Sequence, residues 1–146
     1  MKFLLDASVL LPLVTRSGKQ LIAQAANAEL ITTDLAVYEF CNGLWKLATL
    51  LKTITLEDAA DIAAILNELT AKNLIQTVSF DSIDFPTALG IAQKNHLTYY
   101  DASYIAAAQN VKAILATEDQ KLLKAASKSV KTLSFSRLQS ELAKTL

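Results

Sequence analysis

Asp6, Glu39, Asp101 and Asp119 are the residues of this chain whose type and spacing could do chemistry. Asp6 closes the apolar run Phe3-Leu4-Leu5, Asp101 opens the alanine-rich segment 101–108, and Asp119 follows Ile114-Leu115-Ala116-Thr117-Glu118. These three read as junctions where a strand hands over to a helix, and Glu39 as a position in the second turn of a helix. If the strands are parallel neighbours, their ends share one sheet edge and the carboxylates converge. Two unit charges about 4 Å apart cost on the order of 4 kcal/mol at an effective dielectric near 20. A divalent cation is the simplest group that makes such a cluster tolerable. Oxygen-only ligands suit Mg²⁺ or Mn²⁺, and such an ion polarises phosphoryl oxygens and activates water.

Each acid also has a purely structural reading. An aspartate before a helix caps it, which contributes about 1 kcal/mol. Ser8 could cap the first helix in place of Asp6. Glu39 could belong to a solvated face with Asn42 and Lys46. Gly43, on the same face, costs nearly 1 kcal/mol inside a helix, so it suggests close approach of another chain or a substrate.

The elements that must position these residues alternate. Strands are expected over 2–5, 30–33, 75–80, 113–117 and 130–133. Helices are expected over 8–14, 18–28, from a cap at Asp34 to about Leu51, from Thr55 to 72–73, and then over 83–95, 101–109, 119–126 and 136–142. Thr55 with Asp58 has capping-box spacing, and Pro86 suits a first helical turn. The stripe Leu35, Tyr38, Cys41, Leu44, Trp45, Ala48, Leu51 has helical spacing and reads as the buried face. This order predicts a single α/β domain over 1–146: a three-layer sandwich around a mainly parallel sheet of about five strands. Chemistry in such sheets gathers at the carboxyl ends of the strands.

The bulk numbers narrow the function. The chain has 146 residues, 52% of them hydrophobic, and a net charge of zero. No apolar run is long enough to span a bilayer. Asp6 interrupts any signal-peptide core, so a cytoplasmic protein is expected. The single Cys41 excludes an internal disulfide. Zero net charge gives no global case for nucleic acid. Four acids gathered at one site, however, leave the rest of the surface at about +4.

Four segments come in a telling order: Leu4-Leu5-Asp6-Ala7-Ser8-Val9-Leu10, Tyr38-Glu39-Phe40-Cys41-Asn42-Gly43-Leu44, Tyr100-Asp101-Ala102-Ser103-Tyr104-Ile105-Ala106-Ala107-Ala108, and Leu115-Ala116-Thr117-Glu118-Asp119-Gln120-Lys121-Leu122. Together, and essentially end to end, the chain resembles the PIN-domain nucleases, and within them the VapC-type toxins of toxin–antitoxin pairs. The resemblance implies a metal-dependent endoribonuclease. Asp6, Glu39, Asp101 and Asp119 would be catalytic and hold Mg²⁺ or Mn²⁺. Ser8 and Thr117 would supply nearby hydroxyls and Asn42 would support the site. It also implies a small antitoxin partner. Glu118, beside the fourth acid, either points away from the site, as its neighbouring position on a strand end suggests, or reaches in as an outer-shell ligand. Arg16, Lys19 and Lys46 are candidate substrate contacts. Lys121, Lys124, Lys128 and Lys131 recur every three or four residues, as either an exposed helix face or a phosphate-following stripe. A surplus of apolar residues over 34–73 suggests a homodimer.

Two rivals remain at this level. One is a PIN fold that binds RNA or protein without cutting. The other is a response-regulator receiver with Asp81 as its phosphorylation site, although that reading leaves Glu39 without a role. A phosphohydrolase of the haloacid dehalogenase kind needs an acid where Ser8 stands. A glycine-rich phosphate loop is absent from the sequence.

Overall fold

The computed structural model describes residues 1–24 and 28–144, without the side chains of Lys19 and Ile22. Five strands form one sheet in the order β3-β2-β1-β4-β5, every pair parallel. They are β1 (Lys2–Leu5), β2 (Glu29–Thr33), β3 (Ile75–Val78), β4 (Ile114–Ala116) and β5 (Thr132–Leu133). β1 is central. Phe3, Leu4 and Leu5 are almost completely buried, as an unbroken apolar run in a doubly covered parallel strand must be. Leu5 lies opposite Thr32 on one side and Ala116 on the other. The Thr32 hydroxyl donates to the Leu5 carbonyl at 2.8 Å.

The helices are α1 (Ala7–Ser17), α2 (Leu21–Gln24), α3 (Asp34–Trp45), α4 (Leu56–Ala71), α5 (Phe85–Asn95), α6 (Tyr99–Val111), α7 (Gln120–Ala126) and α8 (Phe135–Ala143). The chain steps outward from β1 to β3, then returns to β4 and steps the other way. Right-handed crossovers therefore place α1, α3 and α4 on one face and α5, α6 and α7 on the other. Packing agrees: α1 meets α3 and α4, while α6 meets α5, α7, β1 and β4. The reversal leaves a crevice between the carboxyl ends of β1 and β4. No helix among the described residues is long and apolar enough to cross a membrane.

α6 is buried without interruption from Ala102 to Ala108. It lies between the sheet and its helical neighbours, and alanine is small enough to let it sit there. Thr98, not Asp101, is its cap, accepting from the Asp101 amide at 3.2 Å. Asp101 is therefore inside the first turn of α6, and α5 rather than a strand precedes that helix. The expected strand-to-helix junction at 101 is corrected accordingly.

The face of α3 also differs from expectation. Its buried residues are Ala36, Phe40 and Leu44, whereas Tyr38 is 77% and Leu51 65% exposed, and Cys41 is exposed. α3 is apolar over two faces, and small residues decide which one packs. A Cβ at Gly43 would meet Leu11 Cδ2 at 2.9 Å, so the glycine lets α1 approach within the same chain. Thr33 caps α3, accepting from Ala36. Asp34 instead accepts from the amides of Leu35 and Phe80, each at 2.8 Å, tying α3 to the turn after β3. α3 continues into a π turn, Lys46–Leu50. The expected helix over 18–28 is a 3₁₀ turn, Gly18–Gln20, followed by α2; positions 25–27 lie outside the described residues. The capping box of Thr55 and Asp58 forms as expected.

Candidate active site at the carboxyl edge of β1 and β4

Asp6 leaves β1 in extended conformation and is the N-cap of α1: its Oδ1 accepts from the Val9 amide at 3.2 Å. Ser8 does not cap, because it is already the second helical residue. Its hydroxyl donates to Asp6 Oδ1 at 2.5 Å instead. Thr117, at the exit of β4, donates to Asp6 Oδ2. Both hydroxyls accept in turn, Ser8 from the Glu118 amide at 2.9 Å and Thr117 from the Asp119 amide at 3.0 Å. Two short relays thus bind the 117–119 backbone to one carboxylate. Asp6 is only 4% exposed.

Burial raises the Asp6 carboxyl to about 6, against the lowering effect of Ser8, Thr117 and Val9, and Glu39 adds a further raising charge. The Glu39 carboxyl is raised by burial and by Asp101, and lowered by a hydrogen bond from Tyr104. Asp101 is raised by burial and by Asp119, and lowered by Thr98 and Lys121. The four acids thus form a row of neighbouring charges, each acting on the next. Among the described residues no three His, Cys, Asp or Glu side chains stand in a ready metal-holding group. The four acids offer oxygen donors alone, a chemistry that fits a hard divalent ion.

Asp119 caps α7, with Oδ1 accepting from the Leu122 amide at 3.0 Å. Glu118 points away, as the sequence suggests: its Oε1 accepts from the Phe135 amide at 2.6 Å, at the start of α8. Arg16 lies over the Phe135 ring, 5.2 Å from its centroid, which places it on the same sheet edge beyond Asp119. Asn42 and Lys46 are exposed on successive turns beyond Glu39. The Lys19 side chain lies outside the described residues. His96 is exposed in a left-handed C-cap of α5.

Sequence reasoning missed Tyr104. Its buried hydroxyl donates to Glu39 Oε1 at 3.1 Å. Burial and the Glu39 and Asp6 charges hold its own ionisation far above the ordinary tyrosine range. A signal was available: Tyr104 stands three residues after Asp101, on the same helix face.

Comparison with known proteins fits this geometry. A PIN domain family profile matches residues 3–128. Ribonuclease VapC3 of Pyrobaculum aerophilum is 34% identical over 125 residues, spanning 84% of this chain and 92% of the relative. Exonuclease VapC9 of the same organism is 30% identical over 122 residues and 84% of each chain. A crystal structure of a protein from that organism superposes with a TM-score of 0.74 at 25% identity, covering 99% of this chain and 90% of the other. The fold is also that of VapBC-1 from nontypeable Haemophilus influenzae, with a TM-score of 0.58 at 15% identity, covering 93% and 99%. The receiver-domain reading falls with this match. The chain belongs to the PIN domain family.

Proposed function

We propose that this protein is a metal-dependent endoribonuclease, the toxin of a type II toxin–antitoxin pair. The observation that carries the reading is the row Asp6, Glu39, Asp101, Asp119 at the switch point of the sheet, in which the Glu39 charge acts on Asp6, that of Asp101 on Glu39 and that of Asp119 on Asp101. The names of its curated relatives, a ribonuclease and an exonuclease, support a nuclease. A pure binder gains nothing from that repulsion, which disfavours a non-catalytic module.

Bound Mg²⁺ or Mn²⁺ would polarise the scissile phosphate and lower the pKa of attacking water. Asp6, Glu39 and Asp101 would hold it, and Asp119 would hold a second ion or orient the water. The chain's own part is positioning. Ser8, Thr117 and Val9 fix both oxygens of Asp6, and Tyr104 fixes Glu39. Arg16, Lys46 and Lys19 would meet the substrate phosphates. Asn42 would support Glu39 from the next turn.

The partner reading rests on two supports. Solved neighbours of the same fold are VapBC assemblies, which favours a small antitoxin protein. Tyr38, Trp45, Leu50, Leu51 and Leu56 are between 49% and 79% exposed along α3 and α4. That apolar face favours a homodimer.

The test is incubation of RNA with Mn²⁺ and either the wild-type protein or Asp6→Asn. Cleavage by the first alone supports the reading, and equal cleavage or none by either overturns it. A circular RNA separates internal from terminal cutting: linearisation supports an endonuclease.

A further inference from the structure

The charge of this chain is zero only in total. Over residues 53–84 there are six acids and one lysine, while over 112–144 there are seven cations and three acids. The second stretch builds the β4–β5 flank of the sheet. Of its three acids, Glu118 is bound to the Phe135 amide, Asp119 faces the active-site row and Glu141 is paired with Lys144. The cations are less engaged. Lys112, Lys121, Lys124, Lys128, Lys131 and Arg137 make no ion pair among the described residues, and all six are exposed.

Their placement is directional. Lys121 stands at the acid row, close enough for its charge to act on Asp101. Lys124 follows one turn later on α7, and Lys128 just past the helix end. α7 is about 10 Å long at 1.5 Å per residue, so these side chains run away from the acids toward the opposite sheet edge. There, Lys128, Lys131 and Arg137 line a cleft of about 660 Å³ with Ser127, Ser129 and Thr132. Its lining also includes apolar residues such as Phe3, Ile114 and Val130, and Glu141, whose carboxylate is paired with Lys144. Lys128 also borders a smaller cleft of about 330 Å³, opposite Lys94 of α5. Hydroxyls and unpaired ammonium groups along a concave path are the donors a phosphodiester backbone requires. An exposed helix face accounts for Lys121 and Lys124, but not for a continuation past the helix end into a cleft.

We propose that Lys121, Lys124, Lys128 and Lys131 form a track that holds the phosphates of single-stranded RNA, leading from the acid row around α7 to the cleft at the amino-terminal edge of β4 and β5. The track rests on the nuclease reading for its purpose but not for its detection. It binds backbone charge without reading bases, so it contributes affinity for long RNA and none for a substrate of a few nucleotides.

The experiment is fluorescence anisotropy of a labelled 20-nucleotide RNA in EDTA, where nothing is cut, across a series of KCl concentrations. Lys124→Glu/Lys128→Glu/Lys131→Glu is compared with wild type and with a charge-matched control away from the cleft, Lys52→Glu/Lys72→Glu/Asn67→Asp/Gln76→Glu. Removing three phosphate contacts should lower the slope of log affinity against log salt by about 2, at roughly 0.7 per single-strand contact. It should also weaken binding at least tenfold at low salt, while the control stays near wild type. The corresponding glutamine triple, which is gentler on the fold, should show the same slope change with a smaller loss. With Mn²⁺, the track variant should lose more of its cleavage rate on long RNA than on a tetranucleotide. Unchanged affinity and slope, or an equal loss in the control, overturns the track. So does wild-type protein that binds phosphatidylserine vesicles and not RNA. Wild-type protein that binds RNA through these lysines and cuts nothing would sink the nuclease reading alone.

Discussion

The Tyr104 hydroxyl of α6 donates to Glu39 Oε1 of α3 across 3.1 Å. The two helices cover opposite faces of the sheet, so this bond closes over the strand ends and sets where the helix-borne acid stands. Tyr104 is 2% exposed, and its ring is held by packing. Tyr104→Phe should therefore keep the fold and lose the aim of Glu39. We expect kcat to fall roughly tenfold, about 1.4 kcal/mol, with a higher midpoint for Mn²⁺ activation. A metal titration of cleavage rate checks this; unchanged values would make the bond purely structural.

Asp6 carries the pH dependence. Its native carboxyl is near 6 against an ordinary 3.8. The native state therefore holds more protons than the unfolded chain between these values. Stability of the metal-free protein then falls as pH rises from 3.8 to 6 and stays lower above that, by about 3 kcal/mol at 1.36 kcal/mol per unit. Asp6→Asn should raise the metal-free melting temperature at pH 7.5, on the order of 5 °C for a chain of this size, and change it little at pH 4. The same variant should lose the stabilisation that Mn²⁺ gives the wild type. Thermal melts at the two pH values, with and without Mn²⁺, decide it.

For the enzyme the sign reverses, because a proton on Asp6 competes with the cation. At subsaturating Mn²⁺ the cleavage rate should fall as pH drops through about 6, and added metal should restore part of it. A pH–rate profile at two Mn²⁺ concentrations is the check.

The neighbours Glu118 and Asp119 should separate cleanly. Glu118 serves the Phe135 amide, while Asp119 acts on Asp101. Glu118→Gln should keep kcat within about twofold of wild type and melt at a lower temperature, whereas Asp119→Asn should lose at least about a hundredfold in kcat. Equal losses would place both acids in the site.

Gly43 tests the helix pairing. Its nearest neighbour is the tip of the Leu11 side chain, which can shift. Gly43→Ala should be near neutral, because a gain of nearly 1 kcal/mol in helix propensity offsets the crowding. Gly43→Leu should cost about 1–3 kcal/mol by overpacking. Denaturant unfolding measures both.

How much of this was legible beforehand varies by residue. β1 was plain, because three buried apolar residues in a row followed by an aspartate allow few alternatives. The strands and their parallel order followed from alternation with helices. The face of α3 was not legible: Tyr38 and Cys41 share helical spacing with Leu44, yet the side that packs carries Ala36, Phe40 and Leu44. Asp6 as the cap was one of two open readings, since Ser8 is an equally good capping type and only the backbone conformation at 6 decides. Tyr104 was hidden in an alanine-rich helix, where a tyrosine reads as filling. Thr117 was reached only through the family resemblance, while the relay it forms with Asp6 joins residues 111 apart in sequence.

The π turn at Lys46–Leu50 has an evolutionary corollary. Such a turn absorbs one extra residue in a single wide turn, so removing one would rewind it to ordinary pitch and leave the direction of the chain beyond it nearly unchanged. Glu39 lies upstream and would keep its station. Lineages could thus gain or drop one residue in this short segment with the cutting apparatus and the outer apolar surface both preserved.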